Sequence, residues 1–419
     1  MRIALFASGS RGDIQPLLAV AVALRRLGHQ VRFCAHEFYQ PIVAAQQCEF
    51  FALGGASPQT VWADDARHRP STLLGKLRWV LSQRAPSPER LAQYMEGCED
   101  AGGIVCDTSS SGFGLCLAEK LQLPIVVSHL YPAHPTRMYP NPTTPLPRVS
   151  SGLLNLLTHL LARLVFWIPS RRWMNAWRTE VLELRPLPLW EPLRVLRRYE
   201  TLTLFGFSPA VVPRPRDWPS CCAVTGFWFL EDSIDPEPPE ALQAFLRSGE
   251  PPVSVGFGSL SEPTPEITTI TAEALGIAKQ RAVLVQGWAM NGGSRLPDTI
   301  HVVDSVRYSW LFPQVSVAVH AGGAGTTAEA IRAGIPSVVV PVGGDQRFWA
   351  RRLAELGIAP PPIRRAELTP KRLAEAIERA VTDGDMRRRA RALGELVRQE
   401  SGPATAARLI MGCFGATGR

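Results

Sequence analysis

The chain is poor in lysine. Only Lys76, Lys120, Lys279 and Lys371 stand among its 45 basic residues, and the arginines are spread along the whole length. Its formal charge of +8 therefore comes without the stripe or tail in which nucleic-acid binders concentrate their charge, and no nucleic-acid partner is expected. The eight cysteines, at 34, 48, 98, 106, 116, 221, 222 and 413, form no CxxC pair and have no histidine at zinc spacing. They read as reduced, mostly buried thiols. A charged, apolar and cleavable leader is also missing, since Met1 runs straight into a strand pattern, so a cytoplasmic chain is expected. No biased tract dominates either. With 46% apolar and 20% charged residues over 419 positions, the composition suits a folded chain of two or three domains and excludes a small module or a disordered one.

What is present is a repeated strand, turn and helix grammar. Residues 2–8 (RIALFAS) form an apolar run, GSRGD follows, a helical pattern reaches Gly28, and QVRFCA reopens as strand. The same order returns at 102–127. Prolines crowd 131–147, 209–219 and 235–239, and after them PVSVGFGSL restarts the rhythm, with RAVLVQG, HVVD, VSVAVH and PSVVVP as later strands. The expected fold is α/β: two doubly wound Rossmann-like domains facing each other across a cleft. The expected boundaries are 1–215, a linker at 216–240, a second domain at 241–395, and a last helix at 396–419 returning to the first domain.

The most specific local pattern is His320-Ala321-Gly322-Gly323-Ala324-Gly325-Thr326-Thr327, between a strand and a helix. Glycines let a backbone approach an anion, and the N–H groups and dipole of the helix start then face it, which makes a diphosphate site. His320, Thr326 and Thr327 can add side-chain hydrogen bonds. Beyond the next strand, Asp345 and Gln346 suit sugar hydroxyls, and the earlier Gly256-Phe257-Gly258-Ser259 turn offers a further donor set. The competing reading is a dinucleotide fingerprint, because Gly323, Gly325 and Ala328 match GxGxxA, and it would make the chain an NAD(P)-dependent oxidoreductase. That fingerprint normally opens its domain, whereas here GFGS does so.

HAGGAGTT followed by GIPSVVVPVGGDQRFWARRLAELG resembles the donor-binding signature of glycosyltransferase family 1, in the branch of sterol glucosyltransferases and bacterial antibiotic and rhamnolipid glycosyltransferases. SGSRGDIQP, PTRMYPNP, GFSPAVVPRPRDWP, VTGFWFLED, PPVSVGFGSL and SWLFPQ extend the resemblance over essentially the whole chain. It implies the two-domain GT-B fold, an acceptor-binding first domain, a donor-binding second domain, and inverting, metal-independent transfer without a cofactor. Carried over by position, Ser259, His320, Gly322, Gly323, Gly325 and Thr326 hold the diphosphate, and Asp345 with Gln346 hold the sugar. Trp288 and Gly12 are neighbours of the nucleotide. The donor it points to is UDP-glucose, with a dTDP-deoxysugar as the alternative, and the acceptor is a lipophilic hydroxyl compound such as a sterol, terpenoid, polyketide or hydroxy-lipid. Ala321 replaces a second histidine of many relatives, and Ala328 stands where the plant branch has a ribose-binding glutamate.

Sugar transfer to a hydroxyl needs a base for the acceptor proton and a stabiliser for the leaving diphosphate. Asp13 stands where plant relatives have their catalytic histidine. The competing reading makes it a cap for a helix beginning at Ile14 with Pro16 in its first turn, a position that would lower its pKa and weaken it as a base. Asp107, at the end of IVCD, is a supporting acid. A protein that binds nucleotide sugars without catalysis would lack the base. Asp383-Gly384-Asp385 matches the letters of a metal-binding DxD but reads as a polar turn and helix cap. Finally, Leu153, Leu156, Leu157, Leu160, Leu161, Leu164 and Ile168 recur at helical spacing opposite Asn155, Thr158, His159 and Arg163. With Arg171, Arg172, Trp173, Trp177 and Arg178 after them, residues 153–178 suit a peripheral membrane contact or a lipophilic acceptor, and a helix buried against the first sheet with its tryptophans in the core is the plainer reading. The apolar run falls short of the ~20 residues of a spanning helix.

Overall fold

The protein is described by a computed structural model at residues 1–57, 60, 75, 86–144, 151–194, 201–231, 238–258, 265–286 and 296–417. Twelve strands are found among these residues: β1 Arg2–Phe6, β2 Gln30–Ala35, β3 Glu49–Ala52, β4 Ile104–Cys106, β5 Ile125–His129, β6 Leu202–Phe205, β7 Cys222–Val224, β8 Val253–Gly256, β9 Ala282–Val285, β10 Ile300–Val303, β11 Val317–His320 and β12 Ser337–Val339. Helices of eight residues or more are α1 Arg11–Arg26, α2 Pro88–Glu96, α3 Ser111–Leu121, α4 Gly152–Ala176, α5 Glu240–Arg247, α6 Pro265–Ile277, α7 Ala324–Ala333, α8 Gln346–Glu355, α9 Pro370–Thr382, α10 Gly384–Arg398 and α11 Gly402–Thr417.

The chain divides into two units, Met1–Ile234 with Ser401–Arg419, and Asp235–Glu400. In the first, seven strands pair in the order β3-β2-β1-β4-β5-β6-β7, every pair parallel. Parallel neighbours need helical crossovers that cover both faces, so the central strands β1, β2, β4 and β5 are buried almost throughout, while the edge strands β3 and β7 are less covered. One face packs Leu5, Phe33 and Leu204 against Leu17, Leu18 and Leu24 of α1 and against Ala406, Ile410 and Phe414 of α11. The other packs Phe6, Ile104 and Cys106 against Leu117 of α3 and against Met174 and Trp177. Residues 216–231, read from sequence as linker, instead carry β7 and belong to this unit. Cys222 is buried and Thr203, Leu204 and Phe205 pair along the strand, a short edge contribution that the surrounding prolines obscure.

The second unit has the order β10-β9-β8-β11-β12, again parallel throughout. In each sheet the first strand of the unit has its next strand on one side and a later one on the other. The connections leaving β1 and β4, and those leaving β8 and β11, therefore part in opposite directions. Such switch points open a crevice at the carboxyl ends of the strands, where ligands of open α/β sheets bind.

Candidate functional site

The switch point of the second unit carries the glycine-rich turn. His320 ends β11 in register with Gly256, which ends β8, so HAGG and GFG leave the sheet side by side. Gly322 takes φ +87°, and a Cβ there would meet Val339 Cγ1 at 2.8 Å and the Gln346 carbonyl at 3.0 Å. Only glycine suits that turn. Gly323 caps α7, and a Cβ on it would meet nothing within 4 Å. Open space therefore lies over the helix start. The helix begins at Ala324, which places Gly325 and Thr326 inside its first turn; the N–H groups of Ala324, Gly325 and Thr326 have no carbonyl a turn earlier to meet, and Thr327 is the first to bond back, to the Gly323 carbonyl at 2.9 Å.

His320 completes this set. It is 1% exposed, and burial pushes its pKa down to about 4, so the ring is neutral. The Gly322 N–H donates to Nδ1 at 3.0 Å, which puts the ring proton on Nε2. Nε2 makes no hydrogen bond among the described residues, and neither does Thr327 Oγ1, although both are buried. Two buried donors without partners beside a free helix start fit an oxyanion ligand. Thr327 belongs with this group as much as Thr326 does. The sequence signal was its place four residues after Gly323, which turns it inward once the helix is known to begin at Ala324.

Asp345 and Gln346 start α8 on the adjoining turn. Gln346 is buried, and its Oε1 accepts the N–H groups of Val342 at 2.8 Å and Gly343 at 3.1 Å, which fixes Nε2 as the donor end of the amide. Asp345 is half-buried, and Oδ2 accepts the Trp349 indole N–H at 3.0 Å. The touch of Gly322 on the Gln346 backbone joins this turn to the glycine-rich one. Ser259 and Trp288 lie outside the described residues.

The switch point of the first unit carries the carboxylates. Asp13 is the third residue of α1, and its Oδ2 accepts from Ser10 N at 2.8 Å and Ser10 Oγ at 2.9 Å. The helix thus opens at Arg11 and not at Ile14, and Pro16 stands inside it, beyond the first turn. Gly12 is exposed in that turn. Gly9, at φ +123°, sits so close that a Cβ would lie 2.5 Å from Asp13 Oδ2, and its carbonyl accepts the Tyr39 hydroxyl at 2.9 Å. Asp107 follows β4. Its Oδ2 accepts Ser8 N at 2.9 Å and its Oδ1 accepts Ser110 N at 2.7 Å, so one loop from each side of the switch holds it.

Burial raises the pKa of Asp13 against the pull of both Ser10 bonds. Burial likewise raises Asp107, to about 7, with the charge of Asp13 adding to the rise. The weakening expected of Asp13 from its helix position is therefore overturned, because loss of hydration outweighs the cap. Next to them His129 ends β5, its Nδ1 2.8 Å from Thr108 Oγ1, and burial takes its pKa to about 3. Gly9, Ser8, Ser110 and the Thr108–His129 pair were not identified as site residues from sequence, since their roles come from three strands meeting. The Asp383/Asp385 pair is spent locally: Asp383 caps α10 by accepting Met386 N at 2.9 Å, and Asp385 pairs with Arg388.

Comparison with known proteins bears on the family and the fold. Residues 3–140 match the glycosyltransferase family 28 N-terminal domain, and residues 278–411 match the erythromycin biosynthesis protein CIII-like C-terminal domain. The chain is 36% identical to O-mycaminosyltylonolide 6-deoxyallosyltransferase of Streptomyces fradiae over 98% of its own length and 97% of the relative's. It is 32% identical to sterol 3-beta-glucosyltransferase of Pichia angusta, covering 98% of itself and 33% of that protein, so it spans a third of that relative's length. The crystal structure of the kitacinnamycin glycosyltransferase superposes with a TM-score of 0.72 at 20% identity, over 99% of both chains. Fold and matches together define a glycosyltransferase of the GT-B type. The chain belongs to the GT-B family that holds the sterol 3-beta-glucosyltransferases and the antibiotic glycosyltransferases.

Proposed function

We propose that the protein transfers a hexose, glucose from UDP-glucose, to a hydroxyl of a lipophilic small molecule, with inversion at the anomeric carbon. The observation that carries this is the pair of buried, unpartnered donors, His320 Nε2 and Thr327 Oγ1, at the free start of α7. They suit a diphosphate, whose charge grows as it leaves. Asp13 takes the acceptor proton, the acceptor oxygen forms its bond to the anomeric carbon, and the bond from that carbon to the diphosphate oxygen breaks. Asp107 modulates the basicity of Asp13 through their charge coupling. Gln346 Nε2 and Asp345 meet the sugar hydroxyls.

A second reading, transfer from a dTDP-deoxysugar, is favoured by one fact: the Streptomyces relative matches end to end, whereas a third of the Pichia enzyme is covered. A donor panel followed by thermal shift separates the readings. UDP-glucose should raise the melting temperature most, and a larger shift with dTDP sugars would select the second reading. A shift with NAD(P) and none with either nucleotide sugar would return the dinucleotide reading. In this reading the backbone N–H groups and neutral side-chain donors balance the diphosphate charge, so EDTA should leave the rate unchanged, and loss of activity restored by a divalent ion would contradict it.

A further inference from the structure

Helix α4 faces the wrong way for a soluble protein. Its buried residues are Asn155, Thr158, His159 and Met174, while Leu153, Leu154, Leu157 and Leu161 of its N-terminal half are exposed and Leu156, Leu160 and Leu164 half-buried. The inward polar stripe bonds to segment 137–141: Asn155 Nδ2 donates to the Arg137 carbonyl at 3.0 Å, Thr158 Oγ1 accepts Asn141 N at 2.8 Å, and His159 Nε2 lies 3.2 Å from the Tyr139 carbonyl. These bonds fix the rotation of the helix. Leu153, Leu157, Leu161, Val165 and Ile168 then form one outward line, with Leu153 70% exposed, and exposed Arg172 continues it. At 1.5 Å per residue the apolar part of the line is about 22 Å long. Helix α4 and the residues after it to Trp190 hold ten of the eighteen exposed large apolar side chains described. Monomeric proteins rarely leave such a continuous patch bare.

Charge says what covers it. Of the 45 basic and 37 acidic residues, 26 and 18 lie in the first unit, against 19 and 19 in the second, so the first unit carries the entire net charge of +8. Helix α4 itself holds Arg163, Arg171 and Arg172 and no acid. We propose that this face docks on an anionic lipid bilayer, with α4 lying in the headgroup plane, its leucine line among the acyl chains and Arg172 and exposed Arg185 at the phosphates. Contrary to the length expected from sequence, the helical stretch Gly152–Val181 is long and apolar enough to cross a membrane, but the buried polar stripe keeps the helix on the protein, so the proposal is surface docking and not a span. Trp173, Trp177 and Arg178 are not part of the contact. Trp177 and Arg178 are buried, and Trp173 stacks on Phe113 at 5.6 Å, which corrects their placement at the headgroups.

Flotation of the full chain tests this without donor or acceptor, so its failure leaves the transfer reading standing. Wild type should float with vesicles of equal parts phosphatidylcholine and phosphatidylglycerol, far less with phosphatidylcholine alone, and should be released by salt. Arg172→Glu with Arg185→Glu should lower partitioning at least ~10-fold, and Leu157→Ser with Leu161→Ser should abolish it. Both variants should keep the wild-type melting temperature and UDP affinity, as all four side chains are exposed. The proposal is overturned if wild type stays in solution with both vesicles, an arm that needs no variant. Flotation of the leucine variant like wild type, or release by detergent but not by salt, would also overturn it. So would a wild-type oligomer that ignores vesicles and dissociates in the leucine variant, because the face would then belong to a second copy.

Discussion

Gly9 shows how tightly the carboxylate end of the site is built. A methyl group on it would overlap Asp13 Oδ2, and its φ of +123° strains any side chain, so Gly9→Ala should displace the carboxyl. Misplacement of a catalytic group by about 1 Å costs ~10²-fold, and turnover should fall by that order with UDP affinity unchanged. Equal loss of both would point to a damaged fold. His320→Ala should act oppositely, weakening UDP by about 1–3 kcal/mol in isothermal titration, the worth of a hydrogen bond to a charged group. Asp107 has a pKa of about 7, so it ionises across neutral pH and its charge then raises the basicity of Asp13. The rate should climb through pH 7, and Asp107→Asn should remove that inflection while leaving the donor KM alone; an unchanged pH profile would free Asp107 of this role. His320, the glycines at 322, 323 and 325, Asp13 and Asp107 could be picked out in the sequence as candidates, whereas Gly9 could not. The direction of the Asp13 shift was not, because it is set by enclosure and not by position on a helix.

Among the elements, nine of the twelve described strands and their parallel order were legible, each a short apolar run punctuated by glycine or proline with a helical pattern between, whereas β3, β6 and β7 were not read from the sequence. The rotation of α4 was not. Its sequence shows an apolar side and a polar side, and burial of the apolar side is the ordinary outcome. Here segment 137–141 supplies carbonyl and N–H groups that only the polar stripe can satisfy. Stability should therefore respond in reverse of the usual pattern. Thr158→Val leaves the Asn141 N–H buried without an acceptor and should cost about 1–3 kcal/mol in denaturant unfolding, whereas Leu157→Ser should change it by ~0.5 kcal/mol or less. A larger loss for the leucine would mean that the apolar face is packed inside.

For the whole molecule, four histidines are held neutral by burial: His129 and His134 with pKa about 3, and His159 and His320 with pKa about 4. Unfolded, each titrates near ~6.5, so as pH falls below that value the unfolded chain binds protons the folded one refuses. The stability they allow at neutral pH is lost progressively toward pH 4 and below. Asp107 works the other way, since a folded pKa of about 7 makes its contribution complete below ~4 and lost as pH rises through 7. Asp13, which burial also raises, acts in the same sense as Asp107, but four groups outweigh two, and the melting temperature should drop on acidification from pH 6.5 to 4; a flat or rising profile would contradict the burial of these rings. The central claim is that Asp13 takes the acceptor proton, and the most direct test is the single-turnover rate of Asp13→Asn with donor saturating, so that binding no longer matters. The account predicts transfer ~10²–10⁴-fold slower than wild type. A rate within a few-fold of wild type would contradict it.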